Sequence, residues 1–443
     1  MGRSLPQHRL QRSRIVTLIE ASRPSPSRLP HPSRRRSLAV AAIVIIAVVS
    51  VISHRVGMFT NPQFYAEDGA RWFADAYNYG PFKALGFSLA GYFQVVSRLG
   101  PVIAAPFGIA NQPLIYNICG LLLQVAPAFY FLSSRFETVV PSLWTRLGLS
   151  AIYLVMPADT LDVTITAAPF HLVILATLVV IAPKPQRWYW AAFDVSVAIL
   201  CGLSGPFAYI LFPVALLWFL LRRQRFTLLL VAIFAVTLAA QIYAGTLSPR
   251  INTSPGASLQ SFVLIVSDRI ILAGQFGELA HTYVYLAGRH HGTVLATAVC
   301  FLALPLCVFA ALRAPLELRA FGLVALGIVA GGLLSPLVTF SGSQWVDMAI
   351  SGAGQRYFFM AELAWVFTLM WAASHLPTVG LRRAAWSSCA VVFASGVVIS
   401  WVYAPIPDYH WPQEARAIAS ATPGTRLVVP IPPGATTIDL IAK

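Results

Sequence analysis

Charge is what this chain has least of. Only 11% of its 443 residues are Asp, Glu, Lys or Arg, against roughly 25% in a soluble globular chain, so water cannot be the main solvent of its surface. Acids are the scarcer sign: 16 Asp and Glu stand against 31 Lys and Arg, a formal charge of +15. Cysteine is sparse too. Cys119, Cys201, Cys300, Cys307 and Cys389 all lie inside apolar runs without paired spacing, which marks small core residues and indicates neither a disulfide framework nor a metal centre. There is no phosphate-cradling GxxxxGK[ST] loop and no GxSxG nucleophile turn, so an ATP-driven pump of that type and a lipase-like site are both excluded. The duplicated half-pattern of many secondary transporters is missing as well.

What the chain does have is apolar length. Hydrophobic residues make up 57%. Stretches able to cross a hydrocarbon core of ~30 Å run approximately over 38–54, 113–133, 146–157, 167–182, 189–204, 206–221, 226–246, 293–312, 320–340, 357–376 and 384–404. The expected fold class is all-α, a polytopic membrane helical bundle of about eleven spans. Basic residues orient it. Nine lie at or before Arg36; Arg135, Arg146, Lys184, Arg187, Arg222, Arg223, Arg225, Arg313, Arg319, Arg382 and Arg383 fall in short loops between alternate spans, and together these are 20 of the 31. Such loops are cytoplasmic. Most acids, among them Glu67, Asp68, Asp159, Asp162, Asp268 and Glu278, fall on the other side.

The expected organisation is a disordered basic cytoplasmic tail over 1–37, a transmembrane domain over 38–404 and a short extracytoplasmic C-terminal tail over 405–443. Within the domain, 55–112, 247–291 and 341–356 are the extracytoplasmic loops. A basic tail beside a span suits anionic lipid headgroups, so the excess charge calls for no nucleic acid. An Arg-rich, acid-poor N-terminus also describes organelle transit peptides, but the apolar run after Arg36 has no small-residue cleavage pattern and reads better as an uncleaved signal-anchor. The expected location is the bacterial inner (plasma) membrane. Residues 92–110 are apolar enough to suggest another span, yet crossing there would invert every later loop. Gln94, Ser97, Arg98 and Pro101 recur at helical spacing with Tyr92, Val95, Val96, Leu99 and Ile103 elsewhere around the turn, as in a helix lying at the membrane surface. A hairpin with 113–133 is the alternative.

The most informative stretch is FYAEDGARWFADAYNYG, residues 64–80, just after the first span. Its adjacent carboxylates, Glu67 and Asp68, can take a proton from an acceptor hydroxyl or hold a divalent cation against a phosphate leaving group. The plainer reading makes Asp68 a helix cap and pairs Glu67 with Arg71. Asp159 and Asp162, three apart in the next outer loop, share a face on a helical turn and can bind a cation such as Mg or Mn together with Asp68; solvated loop acids are the alternative. Arg269, Glu278 and His281 are candidates for substrate binding, with a solvated amphipathic face as the default. In GAGQRYFFM, residues 352–360, Arg356 can grip a phosphate with its planar fork beside Tyr357, or else snorkel to the interface. Asp194 and Glu362 lie inside spans, where acids are functional candidates, but neither has a partner visible in the sequence.

This order of features resembles the GT-C superfamily of integral membrane glycosyltransferases, in which one span leads into a long outer loop with acids near its start and membrane-surface helices follow. Here the counterparts are the span 38–54, Glu67 and Asp68, the surface segment 92–110 and the span 113–133, with Asp159 and Asp162 at the position of a second acidic site. The short motifs AEDG, GYFQ, SGPF and GQRYFF are similar to those of uncharacterised bacterial membrane proteins of this general kind. The resemblance implies transfer of a sugar from a polyprenyl-phosphate-linked donor to an extracytoplasmic glycan or lipid acceptor of the cell envelope. Glu67 or Asp68 would be the base and Arg356 would hold the lipid phosphate. Where many relatives show Asp-Glu or Asp-x-Asp, this chain has Glu-Asp, which leaves open which acid acts. A glycolipid transporter or flippase, built on Asp194, Glu362 and His171, and a non-catalytic membrane subunit of a glycan-assembly system are the competing classes.

Overall fold

The computed structural model describes residues 34–156, 163–250, 254–277, 288–338, 342–350 and 353–443, with the side chains of 34–41, 288–291 and 350 left aside. Asp159, Asp162, Glu278 and His281 lie outside the described residues, as does the segment before Arg34. Contacts divide the chain within its first helix, Arg34–His54, into Met1–Ile46 and Ala47–Lys443. The second unit holds both cavities discussed here.

The described residues are overwhelmingly helical, with two short antiparallel strand pairs. Each apolar stretch of the sequence coincides with a helix. After the first helix come α1 (Gln112–Leu132), α2 (Leu143–Val155), α3 (Ala168–Ile181), α4 (Trp188–Gly202), α5 (Phe207–Arg222) and α6 (Arg225–Leu247). Then follow α7 (Gly288–Arg313), α8 (Leu316–Leu334), α9 (Gln355–Ser374) and α10 (Val379–Ile399). By length and composition 6 described helices can cross a membrane: Ile109–Leu132, Arg225–Leu247, Leu259–Phe276, Gly292–Arg313, Leu316–Leu334 and Gln355–Ser374. Ala42–His54, α2, α3, α4 and α5 are apolar but shorter. The chain is thus consistent with a multi-pass membrane protein. Its surface agrees: in Gly292–Arg313 only 17% of the apolar window is buried, and Phe301 and Leu302 are 75% and 77% exposed. Such a face is stable against lipid and costly against water.

Leu259–Phe276 lies inside a segment read from sequence as a loop. It packs against α7 and α9, with Ile270 and Ile271 clustering with Ala303, Leu306, Trp365 and Leu369. Gln260 donates to Thr293 in the second turn of α7, Arg269 bonds Gln355, the first residue of α9, and Gly274 abuts Glu362 two turns further on.

Two close-packed contacts fix the bundle. α3 is buried on nearly every face, as expected of a helix surrounded by others. In α1, a Cβ on Gly120 would come within 2.2 Å of the Val163 carbonyl oxygen, so the backbone at Val163 passes directly across that glycine. Val163 itself has φ +66, a conformation that β-branched residues adopt only when their surroundings impose it.

The last forty residues form more than a tail. Helix Trp411–Ser420 precedes β3 (Arg426–Ile431) and β4 (Thr436–Ile441), which pair antiparallel. Trp411, Ala415, Ile418, Val429, Ile431, Ile438 and Leu440 bury themselves with Phe64, Trp72, Phe73 and Tyr116 in a second core. The Phe64 ring stacks on Phe73 at 4.6 Å and meets Trp411 edge-on at 4.7 Å.

Replacing Gly120 with alanine should force this crossing apart and destabilise the protein by about 1–3 kcal/mol. Thermal unfolding in detergent measures it; an unchanged midpoint would show that the crossing yields.

Candidate functional site

The long connection after the first helix contains a strained turn. Ala66 has φ +48, and its N–H donates to the Pro432 carbonyl of the C-terminal hairpin at 2.7 Å. A wide π-type turn, Asp68–Phe73, follows and passes into Ala74–Tyr79. Turns of that kind recur at functional sites. Gly69 cannot carry a side chain, because a Cβ there would lie 2.7 Å from Ile431 and 2.8 Å from Phe64. The hairpin and the acidic turn are therefore packed backbone against side chain.

This packing gives the two adjacent acids opposite surroundings. Asp68 is 1% exposed, and its Oδ1 accepts from the Thr166 N–H at 2.9 Å and from the Thr166 hydroxyl. That hydroxyl in turn accepts from the Trp72 indole at 2.9 Å. The turn Asp68–Phe73 has no side-chain cap at its start, so the carboxylate is spent on a loop 98 residues further along. Burial pushes the Asp68 carboxyl up to about 7, outweighing the hydrogen bonds from Thr166 that favour its charged form. Glu67, by contrast, is exposed and forms no ion pair with Arg71 or any other described residue. Its side chain lines a cavity of about 390 Å³.

The cavity gathers all four short motifs singled out in the sequence. Its lining includes Glu67 from AEDG, Tyr92 and Gln94 from GYFQ, Ser204 to Phe207 from SGPF, and Arg356 and Tyr357 from GQRYFF. Backbone chemistry explains the meeting. Strands β1 (Ser88–Leu89) and β2 (Tyr92–Phe93) form a hairpin whose two turn residues, Ala90 and Gly91, have φ +52 and +89, as the tightest hairpin turn demands. Past β2 the chain pairs with SGPF: Gly205 N–H donates to the Phe93 carbonyl at 2.9 Å, Val95 N–H to that of Leu203 at 3.1 Å, and Val96 N–H to the Ser204 hydroxyl at 2.8 Å. Gln241, fully buried in α6, accepts from Phe93 N–H at 2.9 Å and donates to the Gly202 carbonyl at 2.9 Å.

The surface segment 92–110 departs from its sequence reading in one respect. Its helix covers only Val95–Ala104, and the polar stripe faces inward while Ile103 is 50% exposed. Ser97 donates to the Ile165 carbonyl at 3.0 Å. Arg98, 2% exposed, pairs with Asp75 at 2.9 Å and lies 4.9 Å over the Trp72 ring. A helix bounded by lipid on one side turns its polar groups toward protein, the reverse of a helix bounded by water.

On the opposite wall stand two arginines. Arg356 donates to the Leu337 carbonyl, Arg250 to that of Ser335 at 2.6 Å, and both guanidinium groups face the Tyr357 hydroxyl. Neither is paired with a carboxylate among the described residues. Two unpaired cations in one recess favour an anionic ligand, and phosphate suits the planar fork. Arg250 was missed in the sequence. The available signal was its sign, since it is a basic residue on the acid-bearing side of the topology. Thr166 and Gln241, short of charge and far away in sequence, gave no signal.

The other predicted residues lie elsewhere. Arg71 is exposed and does not line the cavity. Arg269 is 1% exposed and bonds Gln355, whose amide donates to Glu362 at 2.8 Å, so it braces the turn before Arg356 from behind. At the far end of the bundle Asp194 accepts from Tyr130 at 2.8 Å and Arg135 at 3.0 Å. His171 shares a hydrogen bond with Tyr153 at 2.9 Å. Asp194, Glu362 and His171, the groups available for a membrane-embedded polar pathway, are thus each hydrogen-bonded within the protein. Among the described residues no group of three His, Cys, Asp or Glu is placed to hold a metal; the expected cation would draw on Asp159 and Asp162, outside them.

No family model, curated protein or solved structure matches the chain.

The raised Asp68 carboxyl fixes the sign of a pH effect. A carboxyl higher in the folded than in the unfolded state contributes stability that is full below the unfolded value of 3.8 and is lost as pH rises to about 7. The unfolding midpoint should fall from about pH 4 to about pH 7 and level off above that. Asp68→Asn, which keeps an oxygen for Thr166, should flatten the profile; equal slopes would assign the pH dependence elsewhere.

Proposed function

We propose that the cavity transfers a sugar from a polyprenyl-phosphate-linked donor to an extracytoplasmic glycan or lipid acceptor, as a glycosyltransferase of the GT-C kind. The observation that carries this reading is one cavity with an unpaired carboxylate, Glu67, on one wall and two unpaired guanidinium groups, Arg250 and Arg356, on another. Apolar side chains of Phe170, Phe207, Ile210, Ile328 and Leu337 complete the lining and suit a lipid-borne substrate.

In this reading the acceptor hydroxyl attacks the anomeric carbon and the bond from that carbon to the phosphate oxygen breaks. The electron pair leaves with the phosphate, whose growing charge is met by Arg356 and Arg250. Glu67 takes the hydroxyl proton. Asp68 touches neither reactant; it anchors the turn on which Glu67 stands. A divalent cation would be held by Asp159 and Asp162 at the second acidic site.

The proposal carries a topology of about eleven spans, with the N-terminus cytoplasmic and the C-terminus outside the plasma membrane. Its support is the grouping of the basic loops. Arg135 donates to the Pro183 carbonyl and Arg222 pairs with Glu317 at 2.8 Å, which draws four of these loops together in two pairs. α8 and α9 present Leu318 and Ser374 at one end, and Leu334 and Arg356 at the other. In a cysteine-free background, Tyr79→Cys should react with a membrane-impermeant maleimide added to intact cells and Gln186→Cys should not. The opposite pattern inverts the topology and removes the extracytoplasmic acceptor.

Glu67→Gln should lower sugar transfer from polyprenyl-phosphate donors by about 10²–10⁴-fold, the usual contribution of a general base. Arg356→Gln and Arg250→Gln should each lower it by about 10²-fold or more. Radiolabelled product formation by purified protein reads all three, and full activity of Glu67→Gln would remove the assignment.

A further inference from the structure

A second cavity opens at the opposite end of the same helices. It is larger, about 630 Å³, a size that commonly holds a small molecule. α8 lends it Leu318 and Phe321 while giving Ile328 and Leu334 to the first cavity; α9 lends it Phe367 and Trp371 while giving Arg356 and Tyr357. Helices of 19 and 20 residues are about 30 Å long, so the two recesses belong to opposite membrane faces.

Its walls ask for hydrocarbon. Phe131, Leu149, Ile174, Leu178, Phe321 and Phe367 form the interior. The polar groups in the lining are mostly spoken for. Glu317 pairs with Arg222 at 2.8 Å, the Ser374 hydroxyl accepts from the Trp386 indole at 3.1 Å, Tyr153 donates to the Gln124 carbonyl at 2.6 Å, and the His375 ring shares a hydrogen bond with the Trp371 carbonyl at 2.8 Å. A ligand therefore finds shape and apolar contact inside, with few polar groups to bind. In a membrane such a space does not stay empty, because lipid chains can enter it without crossing water.

The rim says which lipid. Trp144, 81% exposed, and Trp386, 37% exposed, stand at the opening, and tryptophan concentrates where hydrocarbon meets headgroups. Arg382 and Arg383, both exposed, precede Trp386 by four and three residues on α10, which sets them on its face of the helix, one turn toward the aqueous end. Neither forms an ion pair among the described residues.

We infer that this cavity binds one acyl chain of an anionic phospholipid from the surrounding leaflet, with the headgroup phosphate held at Arg382 and Arg383. The site is separate from the proposed transfer reaction and stands whether or not that reading holds.

Gly148 supplies the test. It lines the cavity, and a Cβ built on it meets nothing within 4 Å, so the side chain of Gly148→Phe starts in open space at the cavity wall. Full-length protein in nanodiscs of phosphatidylglycerol mixed with phosphatidylcholine is released into mild detergent, and native mass spectrometry counts the retained lipid. The wild type should keep one phosphatidylglycerol per chain. Gly148→Phe should lower its occupancy about tenfold, and Arg382→Gln with Arg383→Gln should remove the preference for phosphatidylglycerol over phosphatidylcholine. Thr145→Trp, at the exposed rim, repeats the blockade should Gly148→Phe fail to fold. Equal retention in both blocking variants, retention of phosphatidylcholine as strong as that of phosphatidylglycerol, or copurification of a prenyl lipid in place of the phospholipid would each overturn the inference.

Discussion

The hydrogen bonds that Thr166 donates to the Asp68 carboxylate join two parts of the chain 98 residues apart, and the cavity lined by Glu67 depends on that junction. One partner stands in the connection after the first helix and the other shortly before α3, a helix buried on nearly every face. Other polar bonds hold the loop elsewhere, from Arg98 to Asp75 and from Ala66 N–H to Pro432, but the bonds to Thr166 are the ones made by the residue beside Glu67. Apolar contacts alone are non-directional and would set no particular angle for it. A buried acid is an expensive way to gain direction, since removing a carboxyl from water disfavours its charge. The rise of the Asp68 carboxyl to about 7 is the mark of that expense, partly offset by two donors.

The bundle beneath is organised by its two ends. In hydrocarbon every backbone group must be bonded within the protein, which makes the helix interiors monotonous and pushes chemistry outward. The exceptions inside, Asp194, Glu362, Gln241 and His171, are each bonded; the partners of Asp194, Gln241 and His171 stand on other elements and tie them together, while Glu362 is bonded by Gln355 of its own helix. At one end the tied loops carry arginines around an apolar recess; at the other, acids and two unpaired arginines surround a mixed one.

Periodicity and charge made much of this legible. Apolar runs marked the helices because their length is set by bilayer thickness, and Glu67, Arg356, Tyr357 and the motifs around them stood out because charged or glycine-rich punctuation is rare in so apolar a chain. What remained hidden depended on distance. The capping of Asp68 and the pairing of Glu67 with Arg71 were the natural local readings, yet the carboxylate bonds Thr166 and the glutamate stays open, because tertiary donors outcompete neighbours that are only a turn away. The stripe Gln94, Ser97 and Arg98 was visible, but its direction was not: periodicity gives the angle between faces and leaves open which one meets lipid. The C-terminal segment carried too few apolar residues to announce a core of its own. It folds because the first outer loop supplies the other half.

That shared core bears on how adjacent acids come to differ. Neighbouring residues on a tight turn point to different sides, so whichever face the turn buries decides which acid is anchored and which is free. Here the C-terminal hairpin makes the decision. It holds Ala66 in a left-handed conformation that costs about 1–2 kcal/mol through a hydrogen bond from its N–H to Pro432, and Ile431 and Ile438 close over Gly69. With both flanks of the pair pinned, Asp68 is driven toward Thr166 and Glu67 is left facing the cavity. The forty residues at the end of the chain therefore set which carboxylate of the loop stays open to the cavity, without lining the cavity themselves.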